Sequence, residues 1–295
     1  MTSTIPDFEN YPISTQTLII KTNLTIDCQK FYDSIDCKVI TKPETGKKRM
    51  SVCVEDGQPE GSIVFAQYKN TFKGTPFKKI SKKHFLNSVT IIMNVGVKYV
   101  NIKVSNKGKL QITGCNKTIH PVCIIQHFWS TVVKESSWEF QPGETCFKAS
   151  VIPVMSNINF SIDFQINRES LNNIINTKTE HISILETSDG YVGVNIKIHK
   201  KKESLDDVLV DQYSYINDGW ELSKTKVMDY IQTLSTKEQK KKISKCYINT
   251  FLVFYSGKVI MSGGISTINR KSAYEEFMSI LRTYKNEIMI PERKP

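Results

Sequence analysis

Residues 254–263, Phe254-Tyr255-Ser256-Gly257-Lys258-Val259-Ile260-Met261-Ser262-Gly263, repeat the pattern of residues 105–114, Ser105-Asn106-Lys107-Gly108-Lys109-Leu110-Gln111-Ile112-Thr113-Gly114. Each copy holds a Gly-Lys turn, an apolar residue, a variable one, a second apolar residue, then Thr or Ser before Gly. The turn glycines Gly108 and Gly257 lie 149 positions apart. Two copies of one unit imply a pseudo-symmetric molecule. Strand alternation sends Leu110 and Ile112, like Val259 and Met261, to one face, and Gln111 and Thr113, like Ile260 and Ser262, to the other.

Outward from the hairpins, both halves read in the same order. Thr15 to Thr22 is a strand, and Asp27 caps a short helix carrying Phe31 and Ile35; Val154 to Ser161 and a helix from Asn167 to Ile175 match them. Strands at 62–68, 88–93 and 100–104 have counterparts at 181–186, 193–199 and 247–254. Each half closes with a longer helix. Val122, Ile125, Phe128, Trp129, Val132 and Val133 recur at helical spacing behind Pro121, as do Ala273, Phe277, Ile280, Leu281 and Tyr284. Strands followed by a closing helix in each half predict an α+β protein, an antiparallel sheet with helices on one side.

With 40 Lys plus Arg against 29 Asp plus Glu, a net charge of +11 and 295 residues, the chain is long enough for one large or two medium domains and basic enough to attract polyanions. No apolar run approaches the ~20 residues that span a bilayer, and the polar start Met1-Thr2-Ser3-Thr4 lacks a signal-peptide pattern. These features predict an intracellular protein without a membrane partner. The seven cysteines are scattered, with no C-x-x-C pair, so neither a disulfide framework nor a zinc knuckle is indicated. The five histidines show no H-E-x-x-H spacing, and no Walker loop or nucleophile elbow occurs. The chain is therefore read as a non-enzyme with no cofactor, no metal and no small-molecule substrate.

The segment 254–263 with the following Tyr274-Glu275-Glu276-Phe277 resembles the last hairpin and final helix of the TATA-box-binding protein family. Ser156-Asn157-Ile158-Asn159-Phe160-Ser161-Ile162-Asp163 resembles the opening strand of that family's second repeat, and Tyr191-Val192-Gly193-Val194 its wedge loop. Asn87-Ser88-Val89-Thr90-Ile91 and Leu110-Gln111-Ile112-Thr113-Gly114-Cys115 are similar to divergent members encoded by large cytoplasmic DNA viruses. The resemblance implies two pseudo-symmetric repeats, at 12–138 (insertion about 41–80) and 146–290 (insertion about 200–245). These would form one curved antiparallel sheet, a saddle, with helices on its convex face.

It further implies a transcription initiation factor that binds and bends A·T-rich double-stranded DNA through the minor groove and recruits initiation factors and RNA polymerase subunits. If the chain is viral, it would act in the host cytoplasm or be carried in the virion; otherwise it would act in the nucleus. By resemblance, Asn157 matches the asparagine that reads minor-groove acceptors, Tyr191 and Phe254 the wedges, Ile260 an aliphatic contact and Ser262 a hydroxyl. In the first repeat Thr113 matches the hydroxyl, Thr15 and Thr17 fall near the expected asparagine and its neighbouring valine, and Phe85 supplies one wedge.

Departures concentrate in the first half. Ser105 stands at a wedge position and Gln111 at an aliphatic one, while Asn159 replaces an aliphatic contact in the second repeat. The expectation is an asymmetric DNA binder. The alternative is a protein-interaction module that keeps the saddle without autonomous DNA binding. The lysine runs 200–202 and 240–242 are open to phosphate contact or to simple solvation.

Overall fold

A computed structural model describes residues 7–39, 57–76, 86–96, 98–115, 119–132, 137–186, 193–200, 205–243, 247–264 and 266–291. The first half contains β1 (Ile13–Thr22), β2 (Leu24–Ile26), α1 (Cys28–Ser34), β3 (Ile63–Tyr68) and β4 (Thr71–Gly74). It continues with β5 (Ser88–Asn94), β6 (Tyr99–Ser105), β7 (Lys109–Cys115), α2 (Ile119–Val132) and β8 (Trp138–Phe140). Then follow β9 (Phe147–Ser161), α3 (Arg168–Lys178), β10 (Ile182–Glu186), β11 (Gly193–Lys200), β12 (Leu209–Ile216) and β13 (Gly219–Lys226). The chain ends with α4 (Val227–Gln232), α5 (Thr236–Ile243), β14 (Tyr247–Phe254), β15 (Lys258–Gly263), α6 (Thr267–Thr283) and α7 (Lys285–Ile288). The expected α+β class is what the chain adopts. Among the described residues no helix is long and apolar enough to cross a membrane.

Two compact units result. One comprises Gln16–Pro153 with Val210–Lys224, the other Met1–Thr15, Val154–Leu209 and Thr225–Pro295. In the first-half unit the strands run β1-β7-β6-β5-β3-β4; in the second-half unit they run β9-β15-β14-β11-β10. Pairings within each series are antiparallel. The segment 200–245, read as one insertion in the second repeat, is divided: the β12–β13 hairpin lies mostly in the first-half unit and α4 and α5 in the second.

The repeat extends to single hydrogen bonds. At the first hairpin Gly108 N–H donates to Ser105 O at 3.1 Å, Thr22 N–H to Gly108 O at 2.9 Å and Ile26 N–H to Asn106 O at 2.9 Å. At the second, Gly257 N–H donates to Phe254 O at 3.0 Å, Ile162 N–H to Gly257 O at 2.9 Å and Ile166 N–H to Tyr255 O at 2.9 Å. Both glycines need positive φ, 64° and 78°, and a Cβ would lie 2.2 Å from Leu24 O at Gly108 and 2.5 Å from Phe164 O at Gly257. Helix starts repeat as well: Asp27 accepts from the N–H groups of Gln29 and Lys30 ahead of α1, and Asn167 from that of Ser170 ahead of α3. Such caps are each worth ~1 kcal/mol.

The closing helices bury matching positions. Ile124, Ile125, Phe128, Trp129 and Val132 of α2 are buried, and so are Ala273, Tyr274, Phe277, Met278 and Leu281 of α6, each 149 residues later. In the second-half core Phe277 stacks on Phe251 with centroids 4.2 Å apart. The inward rows Leu110/Ile112 and Val259/Met261 are at most 1% exposed. In the first-half unit Trp129 stacks on Phe147 at 4.5 Å, and Tyr215 and Trp220 of the β12–β13 hairpin pack on that pair. Val227, Tyr230 and Ile231 of α4 are buried, so the apolar stripe of this helix serves packing.

Candidate nucleic-acid interface

With one face of each sheet filled by helices, the opposite face carries the candidate site residues. In the second-half unit strand register lines them up in rows. Lys197, Thr250, Ser262 and Asn157 form one row, and Asn195, Leu252, Ile260 and Asn159 the next, while Gly193 pairs with Phe254. Amides and hydroxyls thus flank an aliphatic centre, Leu252 beside Ile260. Ile182 and Ile184 of β10 continue these two rows, and Glu186 continues the Gly193–Phe254 pair. A Cβ at Gly193 would come within 2.7 Å of Leu252 Cδ1, so glycine at this point leaves room for the leucine.

Asn157 is held in place. Its Nδ2 donates to Thr15 Oγ1 at 3.0 Å, and Ser14 Oγ donates to its main-chain O at 3.1 Å. Its Oδ1 is buried and takes no hydrogen bond in the structure. One amide proton is thereby used, leaving the second for an incoming acceptor. Phe254 is half-buried at the β14 end, next to the exposed Tyr255 and Ser256 of the turn.

The first-half unit has the same lattice with different chemistry. Asn101, Thr113 and Thr17 form one row, and Thr90, Lys103, Gln111 and Ile19 the next; Ser88 pairs with Ser105. Thr17 faces Thr113 as Asn157 faces Ser262, so Thr17 is the register counterpart of Asn157 and Ile19 that of Asn159. This moves the first-half counterparts two residues from the sequence assignment, and Thr15 instead braces Asn157 inside the second-half unit. Pairing with β7 is continuous from Thr17 to Lys21 and irregular between Gln16 and Thr17.

By the 149-residue spacing, Lys103 replaces Leu252, Ser105 replaces Phe254 and Gln111 replaces Ile260. A cleft of about 370 Å³ opens beside these residues, lined by Ser88, Lys103, Ser105, Lys107, Lys109 and Gln111 among others. Clustered ammonium groups make it an electropositive recess.

Phe85 and Tyr191 lie outside the described residues, as do Lys201 and Lys202. Leu252, Thr250, Asn195 and Lys103 were not singled out from sequence. Counting back by twos from Phe254, and across the hairpin from Gln111, would have found Leu252, Thr250 and Lys103.

No family model matches the chain. Over 294 residues it is 27% identical to the uncharacterized protein 335L of Invertebrate iridescent virus 6, covering 95% of this chain and 86% of that protein. It is 26% identical over 294 residues to the TATA-box-binding protein-like protein of Acanthamoeba polyphaga mimivirus. That match covers 90% of this chain, which spans 66% of the length of the mimivirus relative. Methanococcus jannaschii TBP aligns with a TM-score of 0.45 at 10% identity, covering 94% of this chain and 99% of that one.

Proposed function

We propose that this chain, a divergent relative of the TATA-box-binding protein-like proteins of large DNA viruses, is a DNA-binding transcription initiation factor that reads A·T-rich duplex through the minor groove. The observation that supports this best is the second-half row pattern, in which Leu252 and Ile260 sit between Asn157, Asn159 and Ser262 on a helix-free sheet face. An aliphatic centre tolerates the smooth floor of an A·T minor groove. It leaves the guanine N2 amino group without an acceptor. The neighbouring amides supply donors for adenine N3 and thymine O2.

On this reading Phe254 of the second-half unit is a wedge, and the lysine-lined cleft at Ser105 of the first-half unit grips backbone phosphate. Bending is then driven by the second-half unit more than by the first. The helices on the opposite faces are the surfaces for initiation factors and polymerase subunits. Such a protein works inside the cell and catalyses no reaction.

Labelled A·T-rich and G·C-rich duplexes, titrated at two salt concentrations with wild type and Phe254→Ala, test the proposal. A·T preference, bending, and loss of both in the variant are expected. Equal binding to both duplexes, untouched by the substitution, would overturn it. Substituting Lys107 or Lys109 by Ala is expected to lower the slope of log K against log salt by about one per lysine. The unusual lattice at Lys103, Ser105 and Gln111 favours a second reading, a protein-interaction module; absence of duplex binding at low salt would select it.

A further inference from the structure

In each half the segment entering the outermost matched strand meets the closing helix through a titratable pair, and the halves make this contact differently. In the second-half unit His181 Nε2 lies 2.8 Å from Glu276 Oε1 of α6, with the histidine side chain 3% exposed. That pair closes directly, with the exposed Glu180 beside it and all three ligand atoms within 4.8 Å of one another, but with no thiol in the group. In the first-half unit Glu60 Oε1 stands 4.0 Å from His127 Nε2 of α2. The gap is bordered by a third donor, the buried Cys123, and the three ligand atoms all lie within 4.8 Å of one another. Cys123 and His127 occupy the places that α6 gives to Ser272 and Glu276. Their i, i+4 spacing puts thiol and imidazole on one helix face.

Glu60 is held on a built turn. Ser62 N–H donates to Pro59 O at 3.1 Å and Gly61 N–H to Asn94 O at 2.9 Å, with Gly61 at φ 87° as a type II turn requires. The buried Asn94 side chain donates to Gln58 O at 2.8 Å and accepts from Gly96 N–H at 2.9 Å. A Cβ at Gly61 would fall 2.2 Å from His127 Nδ1. The imidazole therefore presses on the turn through that side, leaving Nε2 to face Glu60.

We propose that Glu60, Cys123 and His127 form a binding site for a zinc-class divalent metal ion. A thiolate, an imidazole and a carboxylate are a donor set suited to zinc, and three protein ligands leave a fourth position for solvent or another donor. Binding is a proton exchange with no redox change: the Cys123 S–H bond breaks, an S–metal bond forms, and the proton leaves to solvent. Without the ion, burial first and then the Glu60 carboxylate push the Cys123 thiol up to about 12. The ion would clamp the Pro59–Ser62 turn onto α2. Histidine spacing alone hid this site, because its sequence signal is Cys-x-x-x-His rather than a histidine pair.

The test is a Co²⁺ titration of the full-length, reduced, chelator-treated protein, followed by Zn²⁺ competition. A thiolate-to-cobalt charge-transfer band saturating at one equivalent, displaced by Zn²⁺, is expected, with a rise in Tm. Cys123→Ser and the partly exposed His127→Ala are each expected to abolish the band, and Glu60→Gln to weaken binding by roughly tenfold or more. His181→Ala leaves the band in place. Absence of a band in wild type, or a band undiminished in Cys123→Ser with the far-ultraviolet dichroism intact, would overturn the proposal. Neither outcome depends on DNA.

Discussion

The two Gly-Lys hairpins share turn geometry, matching hydrogen bonds and inward core, yet differ where they face outward. Leu252, Phe254 and Ile260 line one; Lys103, Ser105 and Gln111 line the other. Backbone and core carry the repeat because a changed turn glycine or inward apolar residue costs stability in either half. The outward rows are free of that demand, so the repeat is strict inside and divergent outside. What differs between the halves is therefore a better guide to function than what they share.

The comparison breaks first if the cores are unequal. Phe128→Ala and Phe277→Ala are expected to cost about 3–5 kcal/mol each, read from urea unfolding midpoints. A loss confined to one variant would show that the shared spacing conceals different packing. Next come the turns. Gly108→Ala and Gly257→Ala each place a Cβ against a carbonyl oxygen at positive φ, and are expected to cost about 2 kcal/mol or more.

The outward difference is sharpened by binding. Phe254→Ala is expected to weaken A·T duplex binding by about 1–3 kcal/mol, the scale of aromatic–base stacking, whereas Ser105→Ala leaves the affinity of neutral-edge contacts nearly unchanged. Comparable losses from both, in the same titration, would make the halves functionally equal.

The smallest effect concerns pH. Burial raises the thiols of Cys28 and Cys115, both in the first-half unit, from 9.0 to about 11. Between those values the unfolded chain sheds protons that the folded one keeps. Stability is therefore full below pH 9 and falls as pH rises, by about 1 kcal/mol per thiol at pH 10. Hydrogen exchange at pH 8 and pH 9.5 is expected to show faster opening of the first-half unit. Equal opening of both units would contradict this.

The sequence shows the hairpins, most strands and both closing helices, because periods of 2 and 3.6 are strong where one face is buried. It shows less where that contrast fades. From Ile13 to Thr17 every residue of β1 is half-buried, and with the irregularity after Gln16 the alternation could not set the register of Thr15 and Thr17. The β12–β13 hairpin was missed despite a turn signal: Asn217 and Asp218 both take positive φ, 48° and 59°, ahead of Gly219, a mirror-image turn written as Asn-Asp-Gly. The strands themselves lack a clear apolar face, since Trp220 and Tyr215 cover a distant aromatic pair rather than a local core. Glu60 escaped notice because its partners lie about sixty residues away.

That hairpin also has consequences for the life of the chain. Residues 210–224 complete the first-half unit, while residues 1–15 belong to the second, so neither unit is one uninterrupted stretch of polypeptide. During synthesis from the N-terminus, Trp129 and Phe147 emerge about seventy to ninety residues before Tyr215 and Trp220 arrive to cover them. Until then a ribosome-bound or truncated first half presents an aromatic surface covered in part only, by Trp138 and Phe140 against Trp129. A fragment cut at the apparent midpoint would be a sticky intermediate rather than half of the protein.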